Sequence, residues 1–175
     1  MRTFPSPHDF LRQHDGDAPG CVVLDLSMPG LDGLQLQQAL ARSGDHCPVI
    51  FITGNGDVPA SVRAMKAGAV DFLMKPFDQG QFLAAVRAAI DKDRSARAAR
   101  AERTSIGVRV AALTPREREV MAHVVAGHLN KRIAAELCIA EKTVKVHRAR
   151  VMKKMGVDSV AELVSDVTRA SSVRA

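Results

Sequence analysis

Short apolar runs alternate with helical patterns over the first half of the chain. Residues 21–26, 48–53 and 70–75 form nearly continuous apolar runs bounded by turn residues, which is typical of parallel strands buried on both faces. Apolar residues at helical spacing follow each run. Because strands that alternate with helices form a parallel sheet covered by helices, the pattern predicts a doubly wound α/β domain over residues 1–91.

The second half contains only helical patterns. One helix starts at Pro115 and ends at Gly127, a short helix opens at Asn130, and a longer helix covers residues 141–155. The longer helix carries apolar residues on one face and lysines on the other. Because a helix-turn-helix domain lays such a helix in the major groove of DNA, we predict an all-α domain of this kind over residues 112–175.

A segment rich in alanine and arginine joins the two halves. Residues 91–103 contain no large apolar residue, which predicts a semi-rigid helical spacer. We assign residues 92–111 to a basic helical linker and expect a hinge at residues 104–112. The linker is interpreted either as an arm that contacts DNA phosphates or as a solvated helix surface, and charge runs are usually the latter.

Charge separates the same two halves. Residues 1–91 carry 7 Lys and Arg against 10 Asp and Glu, a net charge of −3. Residues 92–111 carry 6 against 2, and residues 112–175 carry 12 against 7, so these segments have net charges of +4 and +5. All six Phe precede residue 92, and Trp and Tyr are absent. Because the basic half has no aromatic ring to stack on unpaired bases, duplex DNA is the favoured partner.

Cysteine spacing and hydropathy indicate where in the cell the protein is located. Cys21, Cys47 and Cys138 are far apart and form no CxxC pair, so we interpret them as small buried residues in a reducing cytosol. No apolar run approaches the roughly 18 residues of a membrane-spanning helix, and the first ten residues lack a signal-peptide core. We therefore expect a cytoplasmic protein with no membrane partner.

Three polar residues fall at the carboxyl ends of the predicted strands. Asp25, Thr53 and Lys75 occupy the edge where parallel sheets of this kind place their working groups. A carboxylate, a hydroxyl and an ammonium can form a site for a phosphoryl group, in which Asp25 attacks phosphorus and the other two bind its oxygens. The alternative is a plain salt bridge between Asp25 and Lys75.

The motifs LDLSMPGLDG and FITGNGDVPASVRAMKAGAVDFLMKPF, with their spacing, resemble the receiver domain of two-component response regulators, in particular the FixJ-like branch. The resemblance covers about residues 2–91 and implies a flavodoxin-like fold. It implies that Asp25 accepts a phosphoryl group from a sensor histidine kinase and that Lys75 contacts the phosphate. It also implies that Thr53 and Phe72 form a switch pair and that the Lys75–Pro76 peptide bond is cis.

The chain departs from the receiver pattern at its beginning. Receivers start with a strand that ends in two acidic residues, which hold Mg²⁺ together with the phosphoacceptor. Here the first strand and helix of that pattern are missing, and residues 2–4 and 7–14 correspond to the second strand and its helix. Only Asp25 and the Ser27 carbonyl remain as metal ligands. The strand next to Asp9 would lie two places from the Asp25 strand, about 10 Å away, so we expect weak Mg²⁺ binding. We expect a late or truncated start, with a naturally degenerate receiver as the alternative.

The outer face of the longer helix carries the candidate DNA contacts. Helical spacing places Lys142, Lys145, Val146, Ala149 and Lys153 on the side opposite the apolar stripe of Val144, Val151 and Met155. The residues suited to phosphate contacts are Lys131, Thr143, Arg148, Arg150 and Lys154. On periodicity alone, a Lys-rich solvated helix in a protein-binding module is an equal alternative.

The segments LTPREREV, NKRIAAEL and IAEKTVKVHRARVMKKMGV are very similar to the LuxR-type DNA-binding domain over residues 113–164. The resemblance implies that bases are faced by Lys142, Lys145, Val146 and Ala149, and that the DNA backbone is met by Asn130, Lys131 and Thr143. Ala140 and Leu129 stand where this family commonly has Ser. The resemblance also implies that a last helix, over residues 159–170, pairs two copies on a pseudo-palindromic site.

The sequence therefore predicts a sequence-specific transcriptional regulator controlled by phosphorylation of Asp25. Its partners would be duplex DNA, a sensor histidine kinase, a second copy of the chain and RNA polymerase. The alternative is a DNA-binding regulator that needs no phosphorylation and uses its shortened receiver as a scaffold or dimerisation module.

A phosphate-handling enzyme is the weakest alternative. The segment GNGDVPAS lacks the Lys-Ser/Thr pair of a P-loop, and the sequence gives no sign of a nucleophile–His–acid set or of a His/Cys metal cluster. His123, His128 and His147 are predicted on helix surfaces without ligand spacing. We therefore expect a protein that is not an enzyme.

Overall fold

The computed structural model describes residues 2–28, 30–54 and 58–171. The chain divides between Arg97 and Ala98 into a sheet-containing unit and a helical unit. Within the described residues, no helix combines the length and the apolar character that crossing a membrane requires.

The sheet-containing unit is built on three parallel strands, as the apolar runs predicted. The strands lie in the order β1-β2-β3, and the register pairs Val22 with Val49 and Ile50 with Asp71. Helices precede, separate and follow the strands. The elements are α1 (Pro7–Gln13), β1 (Val22–Asp25), α2 (Gly33–Arg42), β2 (Val49–Thr53), α3 (Val58–Lys66), β3 (Asp71–Met74) and the start of α4 (Gln79–Ala111).

Both faces of the sheet are buried. Neighbouring residues of a strand point to opposite faces, and Ile50 and Phe51 of β2 are both completely buried. Phe51 packs with Leu36 of α2, whereas Ile50 packs with Ala89 of α4. The sequence therefore predicted the doubly wound α/β architecture correctly.

Gly33 lets α2 begin directly against the sheet. A Cβ at this position would lie 2.7 Å from the backbone oxygen of Asp25 and 2.9 Å from the Phe51 ring. Any other residue would push the helix away from the end of β1, where Asp25 lies.

The expected strand over residues 2–4 does not form. Within the described residues this segment pairs with none of β1, β2 and β3, and a strand needs a hydrogen-bonded neighbour. Phe4 packs edge-on against Phe10 of α1 instead, with ring centroids 5.2 Å apart. Apolar contacts with α1 therefore fix this segment.

The helical unit has the predicted helix-turn-helix order. Val120 of α5, Ile133 of α6, Val144 of α7 and Leu163 of α8 are completely buried in one core. Thr114 caps α5 through a capping box, in which it accepts from the backbone of Glu117 and the Glu117 side chain accepts from the Thr114 amide. The helices are α5 (Pro115–Val125), α6 (Asn130–Glu136), α7 (Glu141–Met155) and α8 (Val160–Ser171).

The predicted hinge at residues 104–112 is wrong, because α4 remains helical to Ala111. Ile106 is completely buried in the core of the helical unit, and Val110, one turn later, packs against the same core. Arg109 donates to the backbone oxygen of Met155 and to Asp166. The end of α4 is therefore part of the helical unit.

The expected solvated surface of residues 91–103 is wrong at two positions. Asp93 of α4 is only 2% exposed and accepts hydrogen bonds from the Gly20 amide at 2.9 Å and from Arg97 at 2.8 Å. Arg97 also donates to the backbone oxygens of Gly16, Asp17 and Ala18. This ion pair fastens α4 to the loop that leads into β1.

Candidate functional site

The parallel sheet brings two of the predicted site residues into direct contact. Asp25 ends β1 and Lys75 follows β3, and the Lys75 Nζ lies 2.7 Å from the Asp25 Oδ2. The Lys75 amide also donates to the Thr53 backbone oxygen at 2.7 Å, which holds the ends of β2 and β3 together. The strand ends therefore form one polar edge.

Asp25 is charged and accessible at this edge. Partial burial raises its pKa, but the hydrogen bond from Lys75, the Ser27 amide and the charge of Lys75 outweigh this effect and lower the pKa below its usual value. The Ser27 amide donates to the Asp25 Oδ1 at 3.0 Å. The Asp25 side chain is 32% exposed and that of Lys75 is 45% exposed. An ionised, solvent-accessible carboxylate beside an ammonium can act as a nucleophile toward phosphorus.

The other predicted residues of this site lie in the sheet itself. Thr53 ends β2 and is 1% exposed. Phe72 is half-buried in β3, opposite Phe51, and packs against the core cluster that contains Phe51. The predicted cis peptide bond between Lys75 and Pro76 is confirmed.

The donors around Asp25 do not by themselves fit Mg²⁺. This ion favours octahedral oxygen coordination, usually with one or two carboxylates and several waters. Among the described residues, Asp25 belongs to no group of three side chains that could share an ion. The Asp9 carboxylate is engaged by Ser6 at 2.6 Å and by Arg12 at 2.7 Å. Asp25 and the Ser27 carbonyl are therefore too few to define a magnesium site.

The recognition-helix candidate α7 has the predicted two faces. Val144, Val151 and Met155 are buried. The Lys145 side chain is 67% exposed, and its Nζ lies 4.0 Å from the Glu141 Oε1. The exposed residues of α7 include Lys142, Thr143, Lys145, Val146, Ala149, Arg150 and Lys153. Like Lys131 of α6, which is also exposed, they are available to a partner outside the helical unit.

Two cations that the sequence suggested for phosphate contacts are engaged within the helical unit. Arg148 donates to the Asn130 Oδ1 at 2.7 Å, which joins α7 to α6. Lys154 lies 2.6 Å from the Glu117 Oε2 and donates to the Ala112 backbone oxygen at 3.2 Å. These bonds hold α7 in place, because each joins it to a different segment of the unit.

Glu117 is a structural residue that the sequence analysis missed. Its side chain is 3% exposed. Hydrogen bonds from Lys154 and the Thr114 amide lower its pKa to about 2, although burial by itself raises the pKa. The capping sequence Thr114–Glu117 was a visible signal. The partner Lys154 was not, because it follows 37 residues later.

The structure also corrects the interpretation of two residue types. Cys138 is exposed, in contrast to the expected burial, because it lies in the turn after α6 with a positive φ of 52°. The prediction that His123 and His128 lie on helix surfaces without ligand spacing needs correction too, because the two side chains come together. Ligand atoms of His123, His128 and Glu136 lie within 4.8 Å of one another.

Two family models match the chain. The model described as the response regulator receiver domain matches residues 1–87, and that of the bacterial regulatory proteins of the luxR family matches residues 111–167. The first matches the sheet-containing unit almost to its end. The second matches the segment that contains α5 to α7 and most of α8.

Individual proteins agree with these matches. Nodulation protein W of Bradyrhizobium diazoefficiens is 48% identical over 161 residues, which are 92% of this chain and 71% of that protein. The transcriptional regulatory protein FixJ of the same species is 44% identical over 167 residues, covering 95% of this chain and 82% of that protein. Among solved structures, the response regulator StyR has a TM-score of 0.85 at 42% identity, covering 96% of this chain and 85% of that one.

The buried Glu117 gives the helical unit a testable acid sensitivity. A carboxyl whose pKa is lowered on folding stabilises the fold above its unfolded pKa, and this contribution is lost as the pH falls through the folded value. For Glu117 the window runs from 4.5 down to about 2. We expect Glu117→Gln to lose a measurable part of the decrease in unfolding free energy that the parent chain shows across this window, measured by urea denaturation and circular dichroism. The remainder belongs to other carboxyls whose pKa is lowered, such as Asp25.

The control is Glu119→Gln on the same helix, because the Glu119 side chain is 51% exposed. It should keep the acid dependence of the parent chain. If Glu117→Gln follows the parent curve as closely as this control, the assigned role of the Glu117–Lys154 pair is wrong.

Proposed function

Because the chain belongs to the response regulators that join a receiver domain to a LuxR-type DNA-binding domain, we propose that α7 binds specific duplex sites and that Asp25 is the phosphoacceptor controlling this binding. The chain is a two-component transcriptional regulator by this membership. The roles of individual residues rest on the geometry that follows.

The exposed cationic face of α7 is the observation that carries the DNA-binding proposal. Lys142 and Lys145 can donate to guanine O6 and N7, while Val146 and Ala149 can contact a thymine methyl group. Val146 is 44% exposed and lies on the same face as the exposed lysines, so its side chain is available for such a contact. The major groove presents both hydrogen-bonding atoms and methyl groups. A helix face that mixes donors with small apolar groups therefore matches it.

Phosphate contacts would fix the register of α7 on the duplex. Lys131, Thr143 and Arg150 are exposed on α6 and α7 and are available to phosphates. Asn130 would meet the backbone from the start of α6, where the bond from Arg148 holds its side chain. These contacts would give affinity without sequence preference and would weaken with salt.

Phosphorylation is proposed at Asp25 by a sensor histidine kinase. The Asp25 carboxylate would form a bond to phosphorus as the bond to the donor histidine breaks. Lys75, now paired with Asp25 at 2.7 Å, would instead bind an oxygen of the transferred group. Thr53 and Phe72 would form the switch pair, because they lie on the neighbouring strands β2 and β3, with Phe72 paired to Phe51, two residues before Thr53. A charge change at this edge would then shift the equilibrium between two states of the unit.

Helix α8 is the proposed dimer contact. Leu163 is buried in the core of the helical unit, but Val160 remains 37% exposed and Val164 is half-buried. Two copies paired through this face would match a pseudo-palindromic site. We further propose RNA polymerase as a partner at the promoter and the cytoplasm as the location, since the DNA target and the kinase's donor domain meet there.

One observation favours a second candidate function, in which DNA binding does not depend on phosphorylation. The described donors around Asp25 do not define a magnesium site, since Asp25 shares no three-residue ligand group. In this alternative, the sheet-containing unit serves only as a scaffold or dimerisation module, and the Asp25–Lys75 pair is structural.

Duplex binding with and without a phosphodonor separates the two candidates. We expect acetyl phosphate with Mg²⁺ to tighten binding of the purified chain to its preferred duplex, measured by fluorescence anisotropy. Asp25→Asn, which keeps the shape of the side chain, should abolish this response without changing basal binding. Binding that is equally tight with and without the donor would favour the scaffold.

Replacing Lys145 by Ala tests the groove-facing role directly. We expect binding to the preferred duplex to weaken by roughly 1–3 kcal/mol, with a much smaller loss on unrelated duplexes. The measurement is anisotropy at one fixed salt concentration. Lys66→Ala removes the same charge from an exposed position on α3 and should leave both affinities nearly unchanged. An equal loss on all duplexes after Lys145→Ala would make Lys145 a phosphate contact.

A further inference from the structure

The end of α5 brings two histidines together through its backbone. Gly127 adopts a positive φ of 78°, and its amide donates to the Val124 oxygen at 3.0 Å. The His128 amide donates to the His123 oxygen, also at 3.0 Å. This pair of bonds is a Schellman motif, in which the side chains three residues before and two residues after the helix cap meet. Such a contact is frequently apolar, but here it joins His123 and His128.

The end of α6 adds a carboxylate to this pair. The Glu136 Oε2 lies 3.0 Å from the His123 Nδ1 and 3.4 Å from the His128 Nδ1. The two Nδ1 atoms are 3.1 Å apart. The other oxygen of Glu136, Oε1, accepts from the Arg132 Nε at 2.8 Å, which orients the carboxylate along α6. Three atoms that carry lone pairs therefore form a compact triangle.

Protons satisfy this triangle poorly. If one neutral histidine donates from Nδ1 to the other, the acceptor nitrogen turns its lone pair toward the Glu136 oxygen as well. If both neutral histidines carry the proton on Nδ1 and donate to Glu136, their two N–H groups crowd each other, because the nitrogens are 3.1 Å apart. A cation at the centre would instead accept a lone pair from each of the three atoms at once.

We propose that His123, His128 and Glu136 form a binding site for a divalent transition metal of the zinc type. Zinc bonds to histidine nitrogen and carboxylate oxygen are about 2.0–2.2 Å long, so tetrahedral ligands lie roughly 3.3–3.5 Å apart. The three ligand separations, from 3.0 to 3.4 Å, are close to these values. The mixed imidazole and carboxylate set suits zinc better than magnesium or calcium.

The surroundings agree with a metal ligand role. The side chains of His123, His128 and Glu136 are 26%, 22% and 35% exposed, which leaves room for water as the fourth ligand. The hydrogen bond from Arg132 is the main cause that lowers the pKa of Glu136, so the carboxylate is ionised at neutral pH. Each histidine binds a metal through the lone pair of an unprotonated ring nitrogen, so protons compete with the metal for the site.

The site would stabilise the helical unit by joining the ends of α5 and α6. Val124 of α5 and Ile133 of α6 lie in the same core as Val144 of α7, so these two helices support the candidate recognition helix. A metal that binds only the folded chain raises its stability in proportion to the logarithm of metal concentration over Kd.

Calorimetry and thermal unfolding of the full-length chain test the site. After treatment with a chelator, we expect Zn²⁺ to bind at one equivalent per chain in isothermal titration calorimetry. At about 100 times Kd, it should raise the Tm of the helical unit by on the order of 10 °C. Co²⁺ should give the visible absorption of a tetrahedral complex.

Matched variants locate the ion. His123→Ala and Glu136→Gln should each weaken Zn²⁺ binding by at least about 10-fold and abolish the Tm shift. The metal-free variants should keep the helical circular dichroism of the parent chain, which verifies folding. His46→Ala removes an exposed histidine of the other unit and should leave the binding intact.

Two results would overturn the proposal. One is the lack of one-equivalent binding by a folded parent chain. The other is Zn²⁺ binding that His123→Ala and His46→Ala affect equally, since the ion would then occupy other side chains. In either case, the triangle is a hydrogen-bonded cluster without a metal.

Discussion

The orientation of α7 depends on the burial of Val144, Val151 and Met155 at spacings of seven and four residues. Fully burying an aliphatic side chain of this size stabilises the fold by roughly 1.5–3 kcal/mol, whereas an exposed ion pair contributes about 0–1 kcal/mol. The apolar stripe therefore decides how the helix is rotated, and the lysines follow. Since a helix has only one inward face, burial of this stripe turns Lys142, Lys145 and Lys153 to solvent.

Burial of apolar residues also positions the polar residues of the sheet-containing unit. Burial of β2 on both faces sets the register of the three parallel strands, and this register brings the carboxyl ends of β1 and β3 to one edge. Asp25 and Lys75 meet there because of the apolar residues behind them. Asp25, Lys75 and the lysines of α7 are thus positioned by apolar cores to which they do not belong.

Periodicity and capping patterns predicted much of this structure, because both arise from neighbouring residues. The three strands, the helix-turn-helix order, the Thr114 cap and the outer face of α7 were all available from local spacing. Contacts between distant residues were not. Ile106 lies in a segment rich in charged and small residues. Its burial therefore depends on α5 to α8 rather than on its neighbours in sequence. Asp93 and Glu117 likewise require partners that only the fold brings close, and the His123–His128–Glu136 triangle depends on one turn and a second helix.

The salt dependence of duplex binding tests most directly whether the outward face of α7 contacts DNA. Removing one cationic side chain that contacts duplex DNA reduces the slope of log affinity against log salt concentration by up to about 0.9. If α7 lies in the groove, replacing Lys142, Lys145 and Lys153 together by Gln should make the slope of the full-length chain shallower by roughly 1–3. An unchanged slope with unchanged affinity would contradict the account, because these lysines would then lie away from the nucleic acid.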